Sequence, residues 1–245
     1  AIAAHATYLG HYPVSASLSR PCIIQAAVEL ARERECNAIL HGATRSQNSL
    51  RRFNGALHDL AFKGSYGSIF EKTALPRKEK IAALSAAGLT SQCNPYSVDE
   101  NLWGRGIESE SIDDPEDIMI PAALFSQSTR WDGDDAEVRV RFRNGRPFCL
   151  DDRPLSLVLL IEELNLLGRR YRLGMYIGLE EIEGGRKVQE LREMPAAEVL
   201  LDAFRRLEAA SVSSECIREK LTLEQVWVRE AVEARSSSHE FERGD

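Results

Sequence analysis

Asn48 and Arg52 stand four residues apart, so a helix would set a carboxamide and a guanidinium on one face, ready to meet a polar ligand or simply to be solvated. His41 closes a short apolar run and precedes a glycine. An imidazole there could do acid–base work, although a hydrogen-bonded buried ring is the commoner use of such a place. Glu180, Glu181 and Glu183 gather beside Gly184-Gly185 and could answer a cation or decorate an exposed hairpin. Ser97-x-x-Glu100 fits a helix capping box, a role compatible with ligand contact. Tyr12 and Ser17 flank the Pro13 turn as ordinary turn and helix-start residues. The acidic run Glu108 to Asp117 lacks EF-hand spacing and its glycine, so it reads as a solvated loop and no metal is expected.

The elements that must position these residues follow from periodicity. Residues 18–35 place Ile23, Ile24, Ala27, Val28 and Leu30 at near-helical spacing, with Pro21 in the first turn. Asn37 to Leu40 then reads as a buried strand feeding the loop His41 to Ser49, and another helix covers Leu50 to Leu60. Helix, strand, loop, helix is the α/β order, in which ligands sit at the carboxyl ends of strands. Gly64 to Ser68 is expected as a loop, Lys78 to Ala87 as a helix stopped by Gly88, and the polar stretch Thr90 to Asp117 as a long ordered loop or domain crossing.

Beyond it the period changes to two. Glu137 to Phe142 alternates, Asn144-Gly145 supplies the positive φ angles of a tight hairpin, and Pro147 to Leu150 returns. A helix over Ser156 to Leu167 ended by Gly168, strands over Gly174–Ile182 and Arg186–Arg192, and a helix over Ala196 to Ala210 complete an α+β pattern. The expected division is residues 1–88, an α/β parallel-sheet domain, and 89–245, an α+β domain with a frayed polar tail. Ala1 to Ala6 reads as the tail of a helix already under way.

With 43% hydrophobic and 28% charged residues the chain can bury one good core or two modest ones. A net charge of -7 argues against nucleic acid as partner, since a phosphate-binding surface needs excess Lys and Arg. Apolar stretches such as Leu155 to Ile161 fall far short of the roughly 20 residues of a membrane span, so no membrane partner and a cytoplasmic location are expected. Cys22, Cys36, Cys93, Cys149 and Cys216 form no Cys-x-x-Cys pair, which predicts reduced, mostly buried thiols.

Three segments, in order and spacing, resemble argininosuccinate synthase. Tyr12-Pro-Val-Ser-Ala-Ser17-Leu-Ser-Arg-Pro21 is similar to that family's Tyr-Leu-Leu-Gly-Thr-Ser-Leu-Ala-Arg-Pro. His41-Gly-Ala-Thr44 with Asn48 and Arg52-Phe53 is similar to its His-Gly-Ala-Thr-Gly-Lys-Gly-Asn-Asp-Gln-Val-Arg-Phe, and Ser97-Val-Asp-Glu-Asn-Leu to its Ser-Met-Asp-Glu-Asn-Leu. The resemblance implies an adenine-nucleotide-hydrolase-like sheet domain followed by a synthetase-like domain. It implies an ATP-dependent C–N ligase, with Mg²⁺, that adenylates the ureido oxygen of citrulline and joins the ureido carbon to an amine such as aspartate. It assigns Tyr12, Ser17, Asn48, Arg52, Ser97 and Glu180 to citrulline, Thr44 and Asn48 to the amine, and His41, Gly42, Ala43 and Thr44 to ATP. In that assignment Arg52 clamps the α-carboxylate and Glu180 answers the ammonium.

The departures matter as much. The family's Gly-Lys-Gly is Arg45-Ser46-Gln47, the Asp that holds the aspartate amine is Ser49, and two citrulline contacts, a Ser and a Tyr, are Gly106 and Arg192. The family's Ser-Gly-Gly-Leu-Asp-Thr-Ser pyrophosphate loop, expected ahead of the region matched by Ala1, does not occur in the sequence. Its C-terminal helix, used in tetramer formation, has no counterpart either, which leaves a homo-oligomer open. The alternative to a ligase is a non-catalytic module that keeps a ureido-amino-acid pocket without ATP chemistry; a structural partner subunit is the third option.

Overall fold

The computed structural model describes residues 1–45, 47–89, 96–108, 112, 114, 116, 120, 124–126, 135–181, 185 and 187–232. They form two compact units, the first of Ala1–Ala16, Val98–Glu180 and Val188–Glu230, the second of Ser17–Ser97, Glu181–Lys187 and Ala231–Asp245.

The second unit grows from α1 (Ala16–Glu33), whose buried Ser17, Ile24, Val28 and Ala31 recur at helical spacing. The helix starts earlier than expected, so Pro21 is its sixth residue instead of lying in the first turn, and it removes the hydrogen bond that residue would return to Ser17. β3 (Ala38–His41) runs parallel to β4 (Ser65–Ser68), with His41 opposite Ser68, and α2 (Asn48–Asp59) makes the crossover that parallel pairing requires. Ile24, Val28, Ala56 and Leu57 form the core, with Ile39, Phe53, Leu60 and Phe62 packed on it.

Two expectations fail here. Gly64 to Ser68 is largely a strand, because Ser65-Tyr66-Gly67-Ser68 owes its extension to pairing with β3 and carries no apolar pattern of its own. The buried strand before His41 is open on one side: Leu40 is 65% exposed, since the helices cover only the Ile39 face. Gly64 is required sterically, as a Cβ would stand 2.3 Å from the Asn37 carbonyl oxygen. Helix α3 (Arg77–Ala86) follows and ends at Gly88, φ +72°.

The first unit opens with β1 (Thr7–Tyr8) pairing antiparallel with β2 (Tyr12–Pro13). Residues 2–5 are turns instead of a helix tail, and His5 sits at φ 37°. Its ring is committed elsewhere: Nε2 lies 2.9 Å from Glu208 and the ring stacks on Phe204 at 5.3 Å. The polar stretch after residue 96 supplies β5 (Ser97–Glu100) and β6 (Arg105–Glu108), so Ser97 and Glu100 stand on a strand and cap no helix. Asn101 makes the turn between them, its Oδ1 accepting from Trp103 N, Gly104 N and Ser15 Oγ at 2.9, 3.2 and 3.0 Å. Most of the acidic run beyond Glu108 lies outside the described residues.

β7 (Val140–Arg143) and β8 (Arg146–Leu150) form the expected hairpin on Asn144 (φ 49°) and Gly145 (φ 70°), extended by β9 (Arg153–Pro154). Ser156 Oγ accepts from Leu159 N to cap α4 (Leu157–Arg170), which passes through Gly168. That glycine lets α4 approach α5 (Pro195–Ser211), as a Cβ would meet Pro195 at 2.7 Å. Leu150, Leu160, Ile161, Leu164, Ala196 and Leu200 are the core between them.

β10 (Met175–Glu181) and β11 (Lys187–Glu193) complete a four-stranded sheet in the order β10-β11-β6-β5. Helix α6 (Ser214–Val232), which periodicity alone leaves unassigned, closes the described chain. Cys149 is buried, whereas Cys22, Cys36 and Cys216 are exposed, against the expectation of mostly buried thiols: Cys22 and Cys216 fall on the outward faces of α1 and α6, and Cys36 lies in the connection after α1. Cys93 and the tail after Val232 lie outside the described residues. Among those residues no helix is long and apolar enough to cross a membrane.

Candidate functional site

In the second unit the loop after β3 is held by its own hydrogen bonds. His41 Nδ1 accepts from Ala43 N at 3.3 Å, Nε2 lies 3.0 Å from Asn54 Oδ1, and the ring leans on Phe53. This pattern puts the imidazole proton on Nε2 and gives the ring a scaffolding job. Gln47 reaches back: its Oε1 accepts from Thr44 N at 2.9 Å, while its own N–H donates to Thr44 O at 3.0 Å. The backbone donors of Ala43 and Thr44 are therefore occupied from within, and the residue that occupies Thr44 is one of the departures from the family's Gly-Lys-Gly.

Helix α2 then presents Asn48 and Arg52 one turn apart. Asn48 Nδ2 donates to Glu181 O at 3.2 Å, and Arg52 is buried at 8% exposure. Ser49 accepts from Arg20 Nε at 3.2 Å, a hydroxyl where a carboxylate would have made an ion pair. Ser17 is buried in the first turn of α1, and Ser97 is exposed at the start of β5.

In the first unit one face of the four-stranded sheet concentrates charge. Strand alternation puts Tyr176, Gly178 and Glu180 of β10 on one side, and Glu190 with Arg192 of β11 likewise share a side. Tyr12, only 3% exposed, lies against this face; a Cβ on Gly178 would meet its ring at 2.6 Å, so glycine there makes room for the tyrosine. Burial pushes the Tyr12 phenol up to about 12, against the opposing pull of Arg192.

Arg192 stands directly opposite Gly106 across the β11–β6 ladder. Its guanidinium lies 4.6 Å above the Tyr12 ring and its Nη2 donates to Glu190 Oε2. A Cβ at position 106 would come within 2.6 Å of Glu190 Oε1. The carboxylates of Glu108, Glu180 and Glu190 bring oxygens within 4.8 Å of one another. Burial pushes Glu190 up to about 8; Arg192 opposes that rise, while Glu180 and Glu108 add to it.

The opposite face is a scaffold, where buried Glu193 accepts from Arg105 Nη1 at 2.6 Å and from Ser126 N at 2.8 Å. A second cluster among the described residues, His5 with the carboxylates of Glu208 and Glu224, is answered by Lys220, 2.6 Å from both glutamates, and by Arg205, 2.8 Å from Glu224. Of the residues assigned from sequence, Tyr12 and Glu180 belong to the first unit and Ser17, His41, Thr44, Asn48, Arg52 and Ser97 to the second. Glu190, Glu108 and Gln47 carry no assignment from sequence. For Glu190 the signal is Gly106, since a glycine inside a strand marks a close approach and a Cβ there would meet Glu190 Oε1 at 2.6 Å.

Comparison with known proteins agrees across both units. The profile of the arginosuccinate synthase N-terminal HUP domain matches residues 1–88, and that of the arginosuccinate synthase C-terminal domain matches residues 96–239. Argininosuccinate synthase of Synechococcus sp. (strain CC9311) is 34% identical over 233 residues, covering 93% of this chain and 58% of the relative. Argininosuccinate synthase of Prochlorococcus marinus (strain MIT 9303) is 34% identical over the same lengths, and that of Rubrobacter xylanophilus is 34% identical over 230 residues, 92% of this chain and 56% of its own. The chain thus spans less than two thirds of the curated relatives it matches. By these matches, and by the motifs at Tyr12, His41 and Ser97, the chain belongs to the argininosuccinate synthase family.

Proposed function

We propose that this chain serves an ATP-dependent carbon–nitrogen ligase of the argininosuccinate synthase type, acting in the cytoplasm. The reaction adenylates the ureido oxygen of citrulline, or of a similar amino acid, with release of pyrophosphate, and an amine then displaces AMP at the ureido carbon. Residues 1–88 contribute to the nucleotide-binding domain and 89–245 to the synthetase domain. Tyr12, Ser17, Asn48, Arg52, Ser97 and Glu180 hold the amino acid, and Thr44 with Asn48 faces the amine.

The observation that supports this most is Tyr12 laid across the strand that carries Glu180, with Gly178 cleared for its ring. Such a wall of phenol and carboxylate, buried on one side, suits an amino-acid head group held out of water. ATP, as its Mg²⁺ complex, supplies the activating group. The Ala43 and Thr44 N–H donors do not fit its phosphates, because they already serve His41 and Gln47. In this reading that loop touches the nucleotide without cradling its phosphates. Ser49, pairing with Arg20 through a hydroxyl, favours an amine other than aspartate as the second substrate.

Calorimetric titration with citrulline tests the amino-acid site: binding to the wild type and its loss in Arg52→Ala is the expected result, and equal affinity in both removes the assignment. Citrulline-dependent pyrophosphate release across a panel of amines then separates the ligase from the non-catalytic reading, which expects binding with no release.

A further inference from the structure

The two positions where the citrulline contacts fail, Gly106 and Arg192, are cross-strand neighbours on the face that carries Tyr12 and Glu180. Their changes are mutually consistent: the absence of a side chain at 106 leaves space for the Glu190 carboxylate, and Glu190 holds the Arg192 guanidinium over Tyr12. Arg192 is 7% exposed, yet its Nε has no hydrogen-bond partner among the described residues. A buried guanidinium N–H left unpaired has lost its water without gaining a partner, so a ligand acceptor on that atom would recover a real loss.

We propose that Arg192, in place of the Arg52 that the family resemblance assigns to it, is the specificity-determining residue that receives the α-carboxylate of the amino-acid substrate, beside the Glu180 carboxylate that receives its ammonium. This rests on the amino-acid site proposed above and names the group that reads the head of the ligand. An α-amino acid carries its two charges on one carbon, so its receptor must set a cation next to a carboxylate; the Tyr12 face does so, with Arg192 on Glu190 and Glu190 oxygens within 4.8 Å of those of Glu180. The Tyr12 ring fixes the plane of the guanidinium, which a lysine could not reproduce. With burial raising Glu190 to about 8, that group is largely protonated at neutral pH and leaves the Arg192 charge for the ligand.

The test is a ligand-and-variant cycle by calorimetry, without ATP, using citrulline and its decarboxylated analogue, 4-aminobutylurea. Arg192→Gln should raise the Kd of citrulline by about tenfold or more, the worth of one charge-assisted hydrogen bond, and leave that of the analogue within about twofold. Arg192→Lys keeps the charge but not the Nε donor and should lose the same discrimination, which keeps the inference open to refutation if the glutamine variant does not fold. Equal losses for both ligands, or none, would overturn the role of Arg192. Failure of the wild type to bind citrulline at all would instead overturn the amino-acid site itself.

Discussion

Gly106 and Arg192 face each other across one rung of the β6–β11 ladder, and Glu190 fills the space above the glycine while holding the arginine. The first prediction follows from that contact. Gly106→Ser puts a Cβ within 2.6 Å of Glu190 Oε1 and must push the carboxylate aside, at a cost of about 1–3 kcal/mol in urea denaturation. In a Glu190→Ala background most of that cost should vanish, giving a coupling of about 1 kcal/mol or more in the double-mutant cycle. Additive effects would show that the two positions do not share this space.

The pH dependence of stability reports on the same carboxyl. Burial raises Glu190 to about 8 in the folded chain, whereas an unfolded glutamate titrates near about 4.3. Between those values the folded state holds a proton that the unfolded state has lost, so its contribution is full below about pH 4 and disappears as pH rises through about 8. The groups facing it are Arg192, Glu180, Glu108 and Tyr12, and Tyr12 stays neutral throughout, being held near 12. The unfolding free energy of the wild type minus that of Glu190→Gln should therefore decline across pH 5 to 8, by at most about 1.4 kcal/mol per unit. A difference that stays flat means that Glu190 is ionised in the folded chain.

The residues of these two experiments mark how far the sequence could be read. The Asn144-Gly145 hairpin and the His41 loop after a strand were legible because local chemistry specifies them: positive φ angles in one case, an α/β rhythm in the other. Ser65–Ser68 and Ser97–Glu100 were not, since each is a strand only because a partner pairs with it. Gly106 and Arg192 were visible as departures, but their partnership is a matter of register, and Glu190 joins them across the same ladder. Residues 86 positions apart offer no local signal of that kind, and Gln47 became meaningful only once its carboxamide was seen on Thr44.

Gln47→Ala tests that last contact. Removing the carboxamide frees Thr44 N, now bonded at 2.9 Å, without touching the Thr44 carbonyl that Gln47 N uses at 3.0 Å. Loss of one hydrogen bond of about 1 kcal/mol should speed amide exchange at Thr44 about fivefold, with Ala43 unchanged because His41 still holds it. Unaltered exchange at Thr44 would mean that another group protects it, and the phosphate-binding capacity of the loop would need to be reconsidered.

The scaffold carries its own prediction at Glu224, 4% exposed on α6. Burial pushes its carboxyl up, but hydrogen bonds from Arg205 and Lys220 outweigh that and leave it below the usual range. Glu224→Ala strips one acid from a buried network that still contains Arg205, Lys220, Glu208 and His5, and should cost about 3 kcal/mol at pH 7. Because the folded value lies below the unfolded one, the stabilisation from this carboxylate is present above the unfolded pKa and is lost as pH falls through the folded pKa. The gap between wild type and Glu224→Ala, measured by urea denaturation, should accordingly be widest near neutrality and shrink below about pH 4. A gap that holds constant into acid would assign the effect to packing of α6 on α5, with the charge network contributing nothing to it.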